Sequence, residues 1–239
     1  MTLPFLQRVG RYVHLFSALT GKHYAEIKPL LEKHVPKDGV IIDVGAHAGH
    51  FTKLFSQVVP QGHVYAFEPG SYVRSIISSV ISFKKLKNVS LFPMGLGDKP
   101  SGEAPHSLSG VSGGGCPVMG CGGTANDERI TLTTLDQFTF RHNLKRVDFI
   151  RADIGGQEMR FLLGGHHVIE KFRPVLFLEI NEASLQRAGN TADEVWHFLK
   201  ALNYRIDKIE GDGRVLTPLS APIAQGDIWC VAEERRKAA

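Results

Sequence analysis

The sequence predicts an α/β fold: a mostly parallel, doubly wound sheet with helices on both faces and an antiparallel strand near the carboxyl end. Three observations carry this. From Val40 onward, short apolar runs rich in β-branched residues alternate with longer helical patterns, as a parallel sheet covered by helices requires. A glycine-bearing turn follows the first of these runs and leads directly into a helical pattern. Two strand-like runs, YRIDKI and DIWCVAE, close the chain and are separated by EGDG and a Pro-containing stretch.

Taken in order, the amino end MTLPFLQRVGRYVHLFSALTGKHY reads as an amphipathic helix with Leu6, Val9, Val13, Phe16 and Leu19 on one face. Arg8, Arg11 and His14 break its apolar stretches, which argues against a signal peptide. It is expected to cap the core, so that residues 1–36 form a helical cap on a main domain of residues 37–239. A membrane-surface contact or a homodimer through this helix is the alternative. Strands are expected at 40–44 (VIIDV), 63–68 (HVYAFE), 89–94 (VSLFPM), 147–153 (VDFIRAD) and 175–180 (VLFLEI), with helices beginning near His50, Ser71, Gly156 and Ala192. Residues 99–126 hold eight glycines and few large apolar groups. They read as a loop, either a lid facing the substrate or a plain connection.

Composition narrows the function classes. The 239 residues suffice for one large domain or a domain with an appendage, and 43% hydrophobic with 22% charged residues excludes a disordered or disulfide-built chain. The net charge of +4 comes from 28 basic and 24 acidic residues with no dense basic block, so nucleic acid is not an expected partner. No apolar run approaches the ~18 residues of a membrane span. Three cysteines cannot all pair within one chain, and a chain of this length does not need staples; a reducing cytoplasm is the economical compartment.

The chemistry begins at Asp43-Val44-Gly45-Ala46-His47-Ala48-Gly49, after a strand and before a helix. Glycines let such a turn bring backbone N–H groups close to a ligand, and the helix start adds positive dipole. A dinucleotide fingerprint from Gly45 would want glycine where His47 and His50 stand, which counts against a nicotinamide-dependent oxidoreductase. A carboxylate before the turn suits S-adenosylmethionine, with Asp43 engaging its amino group directly or through water. Glu68 lies 25 residues on, at the end of the next strand. There it can accept hydrogen bonds from both ribose hydroxyls; as a plain strand-end acid it would only cap the following helix.

DVGAHAGHFT, VYAFEP, NVSLFPMGLGD, the TLD of TTLDQF, VDFIRADIGGQE and RPVLFLEI, in this order and spacing, resemble the FkbM family of S-adenosylmethionine-dependent methyltransferases over roughly residues 38–182. The resemblance implies a Rossmann-like class I methyltransferase fold, S-adenosylmethionine as cofactor, and O-methylation of a hydroxyl on a sugar, glycan or secondary metabolite. It further implies that Asp43, Gly45, Ala46, His47 and Gly49 form the donor turn, that Glu68 meets the ribose, and that Leu96, Gly97 and Asp98 lie near the adenine. The chain departs from the family's D-x-E-G-x-E, reading Asp153-Ile154-Gly155-Gly156-Gln157-Glu158, so one acid is replaced by Gly155.

A base to receive a hydroxyl proton is sought at the carboxyl ends of the fourth and fifth strands. Asp153 is the first candidate, followed by Glu158 and Glu179, with Asn181 as a substrate contact. A solvated edge of helix-capping residues is the plain alternative, and these groups could also orient a hydroxyl without removing its proton. Replacement of an acid by Gly155 motivates a second reading, a non-catalytic donor-binding module that contacts a partner protein. No metal is expected: His47, His50, His166 and His167 lack a Cys or Asp partner at a zinc spacing, and Cys116 and Cys121 have no second pair. Trp196 and Phe198 fall at helical spacing and are expected in the core.

Overall fold

The structure is a computed structural model, and it describes residues 5–21, 25–105, 129–210 and 215–236. In chain order the elements of the first half are α1 (Phe5–Thr20), a 3-10 turn at Ala25–Ile27, α2 (Lys28–His34), β1 (Val40–Val44), α3 (His50–Val58), β2 (His63–Phe67), α4 (Ser71–Lys84), β3 (Val89–Phe92), β4 (Met94–Leu96) and β5 (Ser101–Pro105). The second half runs β6 (Arg129–Thr133), α5 (Leu135–Arg141), β7 (Phe149–Ala152), α6 (Glu158–Gly164), α7 (His166–Phe172), β8 (Val175–Asn181), α8 (Glu182–Arg187), α9 (Ala192–Ala201), β9 (Tyr204–Glu210), β10 (Val215–Pro218), β11 (Gln225–Ala232) and α10 (Glu233–Arg236).

The main sheet has eight strands in the order β10-β9-β11-β8-β7-β1-β2-β3. Strands β3, β2, β1, β7 and β8 are parallel, and β11 runs antiparallel between β8 and β9. The chain winds outward from β1 through β2 to β3, then returns to the other side of β1 at β7. The carboxyl ends of β1 and β7 therefore flank the point where winding reverses, the crevice where open α/β sheets bind ligands. Among the described residues, no helix is long and apolar enough to cross a membrane.

Side chains alternate through the sheet as period-2 geometry requires. Ile41, Phe149, Phe177 and Trp229 face α2 and α3, packing on Leu31, Phe51 and Phe55. Ile42, Ile150, Leu176 and Cys230 face the other way, with Phe138, Phe161, Ile169 and Leu199. The buried Cys230 is thus a small core residue.

Several expectations are corrected. The run 89–94 is not one strand: Pro93 has no N–H for a ladder, and β3 stops at Phe92 while β4 joins β6 and β5 in a separate three-stranded sheet. Part of the expected loop is this sheet's β5, paired antiparallel with β6. Residues 106–128, and with them the lid expectation, Cys116 and Cys121, lie outside the described residues. The helix expected from Gly156 begins at Glu158, because Gly155 and Gly156 have φ of +64° and +99°, outside helical space.

The face of α1 is also rotated from expectation. Leu15, Ala18 and Leu19 pack on Ile76 and Val80 of α4, whereas Val13 and Phe16 are exposed; the side chains of Leu6 and Val9 are not described. Small Ala18, fully buried, lets the two helices approach closely. Lys53 of α3 fixes the helix end, its Nζ donating to the carbonyls of Ala18, Leu19 and Gly21 at 2.9, 3.3 and 2.9 Å. A cation on the terminal carbonyls satisfies orphan acceptors and complements the dipole.

Candidate active site

The turn after β1 is held against two strand ends. The amides of Gly45 and Ala46 both donate to Phe67 O at 3.0 Å, tying the turn to the end of β2. Gly45 has φ +79°, and a Cβ there would lie 2.1 Å from the Asp153 carbonyl oxygen, so only glycine permits this approach to β7. His47 and Gly49 are also left-handed, with φ of +49° and +85°. The turn thereby sets the His47 ring at its rim, against His14 on one side and open to solvent on the other, and packs Ala46 and Ala48 inward.

Glu68 is buried just beyond β2 and braces the same turn. Its Oε2 accepts from His47 N at 2.9 Å and its Oε1 from Gly70 N at 2.8 Å. Each oxygen keeps a further acceptor site. Burial pushes its carboxyl upward, opposed by the Gly70 and His47 amides. The helix-capping alternative is therefore partly realised, since Gly70 is the N-cap of α4.

Asp43 is fully buried and committed within the protein. Its Oδ2 accepts from Thr52 Oγ1 at 2.6 Å and its Oδ1 from Arg151 Nη1 at 3.3 Å. Burial pushes its carboxyl up against the pull of Arg151 and Thr52. Arg151 is the hub: Nη1 also donates to Gly45 O at 3.1 Å, Nη2 reaches Asp153 Oδ2 at 2.5 Å, and the guanidinium lies 4.2 Å from the centre of the Phe51 ring. One planar cation joins the turn, Asp43 and Asp153 through several donors, which a lysine could not reproduce.

Sheet register explains the acidic edge beyond it. Asp43 pairs with Arg151 across β1 and β7, and Ala152 pairs with Leu178 across β7 and β8. One step later Asp153 and Glu179 stand side by side, and Glu179 pairs with Asp227 of β11. The Asp153–Glu179 hydrogen bond, then burial and the surrounding acids, raise Glu179 to about 8. Burial and Asp153 push Asp227 upward against Arg151. Glu179 thus keeps its proton near neutral pH beside the Asp153 carboxyl group.

The remaining sequence candidates are placed differently. Glu158 is 1% exposed and folds back on its own turn, Oε1 accepting from Ile154 N at 2.9 Å, with burial raising its carboxyl. Asn181 is the N-cap of α8, its Oδ1 accepting from Ser184 N at 3.0 Å. Leu96 is buried at the end of β4, Gly97 N donates to Thr133 O, and Asp98 is exposed beyond them. Helix α1 borders the turn, with the His14 ring 5.5 Å from that of His47 and 5.8 Å from that of Tyr72. Burial, then His14, lowers the His47 imidazole.

Arg151, Thr52, Asp227 and His14 are the members that sequence reasoning missed. A cation inside the apolar run VDFIRAD was the available signal for Arg151, since a buried charge needs an acid opposite it. Asp227 gave none, because its neighbourhood depends on β11 entering beside β8.

A family model described as the methyltransferase FkbM domain matches residues 43–206, more than half the chain. The chain resembles the crystal structure of the FkbM methyltransferase from Methylobacillus flagellatus KT, with a TM-score of 0.56 at 15% identity over 81% of this chain and 44% of that one. It also resembles SMU.1697c from Streptococcus mutans, solved in complex with SAH, with a TM-score of 0.52 at 13% identity over 85% and 93% of the two chains. These likenesses are of fold. The AMB antimetabolite synthetase AmbE of Pseudomonas aeruginosa is 24% identical over 208 residues, covering 72% of this chain but 10% of that protein, so the chain spans about a tenth of its curated relative's length. With a Rossmann-like fold and S-adenosylmethionine as its methyl donor, the chain belongs to the FkbM methyltransferase family.

Proposed function

We propose that this chain is an O-methyltransferase that acts on a hydroxyl of a sugar, glycan or secondary metabolite. The observation that carries the reading is the set of acids Asp153, Glu179 and Asp227 that sheet register gathers at the carboxyl edge beside the Gly45–Gly49 turn. Methylating an alcohol needs a group that can take the hydroxyl proton, and a carboxyl raised to about 8 becomes a strong base once it releases its own proton near that pH. The similarity to part of an antimetabolite synthetase supports the secondary-metabolite arm.

The residues present suit the donor. Glu68 has an acceptor site left on each oxygen for the ribose hydroxyls, and the left-handed turn at Gly45, His47 and Gly49 keeps the backbone close to the methionyl portion. Asp43 acts through Thr52 and Arg151 to fix this turn. Leu96, Gly97 and Asp98 border the adenine. S-adenosylmethionine supplies a methyl group made electrophilic by its sulfonium charge. Arg151 fixes Asp153 in direction; Asp153, beside Glu179, orients the acceptor hydroxyl and receives its proton as the hydroxyl oxygen takes the methyl group. Much of the acceleration then comes from positioning. Glu158 shapes the turn from beneath and Asn181 fixes the entry to α8.

Incubating the full chain with methyl-labelled S-adenosylmethionine and a panel of hydroxylated sugars, glycans and metabolites tests this. Label in an ether-linked methyl group is the expected result. Donor binding with no transfer to any member would favour the non-catalytic binding module that Gly155 motivates, and transfer to nitrogen alone would overturn O-methylation.

A further inference from the structure

Helix α7 leads into the amino end of β8, whereas the methyl-transfer edge lies at the carboxyl ends of the strands. It opens with two adjacent imidazoles, His166 and His167, and Glu170 follows at four and three residues' distance respectively. Those spacings bring a helical residue beside both of its predecessors. One ligating atom from each of the three side chains lies within 4.8 Å of the other two. In the sequence the histidine pair lacks a partner at a recognised metal spacing; in the structure Glu170 supplies one.

The group is held rather than merely adjacent. Asp136 of α5 accepts from His167 N at 3.3 Å and Val168 N at 2.9 Å, which pins the start of the helix and offsets the positive dipole that would oppose a cation there. The His166 ring meets Phe198 of α9 edge-on at 5.8 Å and the His167 ring at 5.6 Å, both nearly perpendicular. His167 and Glu170 are exposed and free to close the remaining gap. Ligand atoms about 2.0–2.2 Å from a common zinc ion stand about 3.3 Å apart in tetrahedral geometry, so side-chain rotations suffice.

We infer that His166, His167 and Glu170 form a binding site for a divalent first-row transition ion of the zinc class. Two imidazole nitrogens and one carboxylate oxygen suit Zn²⁺ rather than the all-oxygen shells of Ca²⁺ or Mg²⁺. Three protein ligands leave a position for water or an external donor, as in open zinc sites. This inference is independent of the methyl acceptor.

Zn²⁺ is the probe, titrated calorimetrically into the full chain freed of metal by a chelator, with thermal unfolding followed in parallel. One ion per chain at this site is expected, with a rise in Tm by mass action. His167→Ala and Glu170→Gln, both at exposed positions, should each weaken that binding by about 10-fold or more and shrink the Tm rise accordingly while leaving the circular dichroism spectrum unchanged. The chain has eleven histidines, so the variants decide the location. Zn²⁺ binding of equal strength in wild type and both variants, or none in the wild type, overturns the inference.

Discussion

The two halves of the site hold charge in different ways. On the β1–β2 side, Glu68 is stabilised by backbone amides from the turn and from the start of α4. On the β7–β8–β11 side, Asp153, Glu179 and Asp227 crowd one another with a single guanidinium among them, Arg151. Backbone donors are fixed by the fold and do not titrate, so they favour the ionised form of Glu68 steadily whatever the pH. Side-chain acids against one cation make a site whose proton occupancy changes as ligands and pH change. The first arrangement belongs to the proposed donor pocket, and the second to the proposed acceptor edge.

The largest test of this contrast is its hinge, because Arg151 touches both halves. Arg151→Ala leaves buried Asp43 without its cation and removes the tie from Gly45 O to Asp153. Breaking one partner of a buried pair costs about 3–5 kcal/mol, so urea unfolding should show a loss on that scale, and Arg151→Lys should recover only part of it. Next in size is Asp153→Asn. Turnover should fall by about 10²-fold, the scale for a positioned acid/base, with donor affinity nearly unchanged, as single-turnover transfer and calorimetry would show. A matching fall in donor affinity would mean that the halves are not separable.

How much was legible in the sequence follows the same division. The turn proposed to hold the donor is local: Gly45, Gly49 and the strand-end Asp43 and Glu68 stand where strand, turn and helix rules put them. The proposed acceptor edge joins three strands, and Asp227 of β11 stands opposite Glu179 of β8, 48 positions earlier, only after the chain reverses direction. No local pattern encodes that pairing. Polar positions can share roles: Asn181 and Glu158 sit at the carboxyl edge as expected, and each also bonds within its own turn, which the sequence reading did not single out. For α1, periodicity identified a helix but not its buried face, because Ala18 contacts α4 more closely than the larger Val13 or Phe16 could.

Smaller effects sharpen the donor half. Glu68→Gln keeps the shape but removes the charge and one acceptor, and should weaken S-adenosylmethionine binding by about 1–3 kcal/mol, the range of a charge-assisted hydrogen bond. Calorimetry with donor and demethylated product would measure it. Gly155, where the family carries an acid, has φ +64°. Left-handed backbone costs a residue with a Cβ about 1–2 kcal/mol, so Gly155→Ala should lose that much stability. Gly155→Glu should lose the same amount, and any further change in methyl-transfer rate beyond that of Gly155→Ala reports the carboxylate itself. A faster Gly155→Glu enzyme would mark the edge as eroded rather than adapted.

The least energetic test is the pH dependence of the Asp153–Glu179 pair. Glu179 is raised from the ordinary carboxyl value to about 8, first by its hydrogen bond to Asp153. Between those values the folded chain holds a proton that the unfolded chain has released, so folding stability declines as pH rises from about 4.5 toward 8 and levels off above it. Glu179→Gln removes the titrating proton but preserves a donor to Asp153. Its unfolding free energy should therefore fall less than the wild type's across that window, with the two curves parallel above pH 8. The rate of methyl transfer supplies the second readout: in wild type it should rise as the pair releases its proton near pH 8, and in Glu179→Gln that rise should disappear. Parallel stability curves and an unchanged rate profile would show that the two carboxylates do not share a proton, and would remove the feature that sets the acceptor edge apart from the donor pocket.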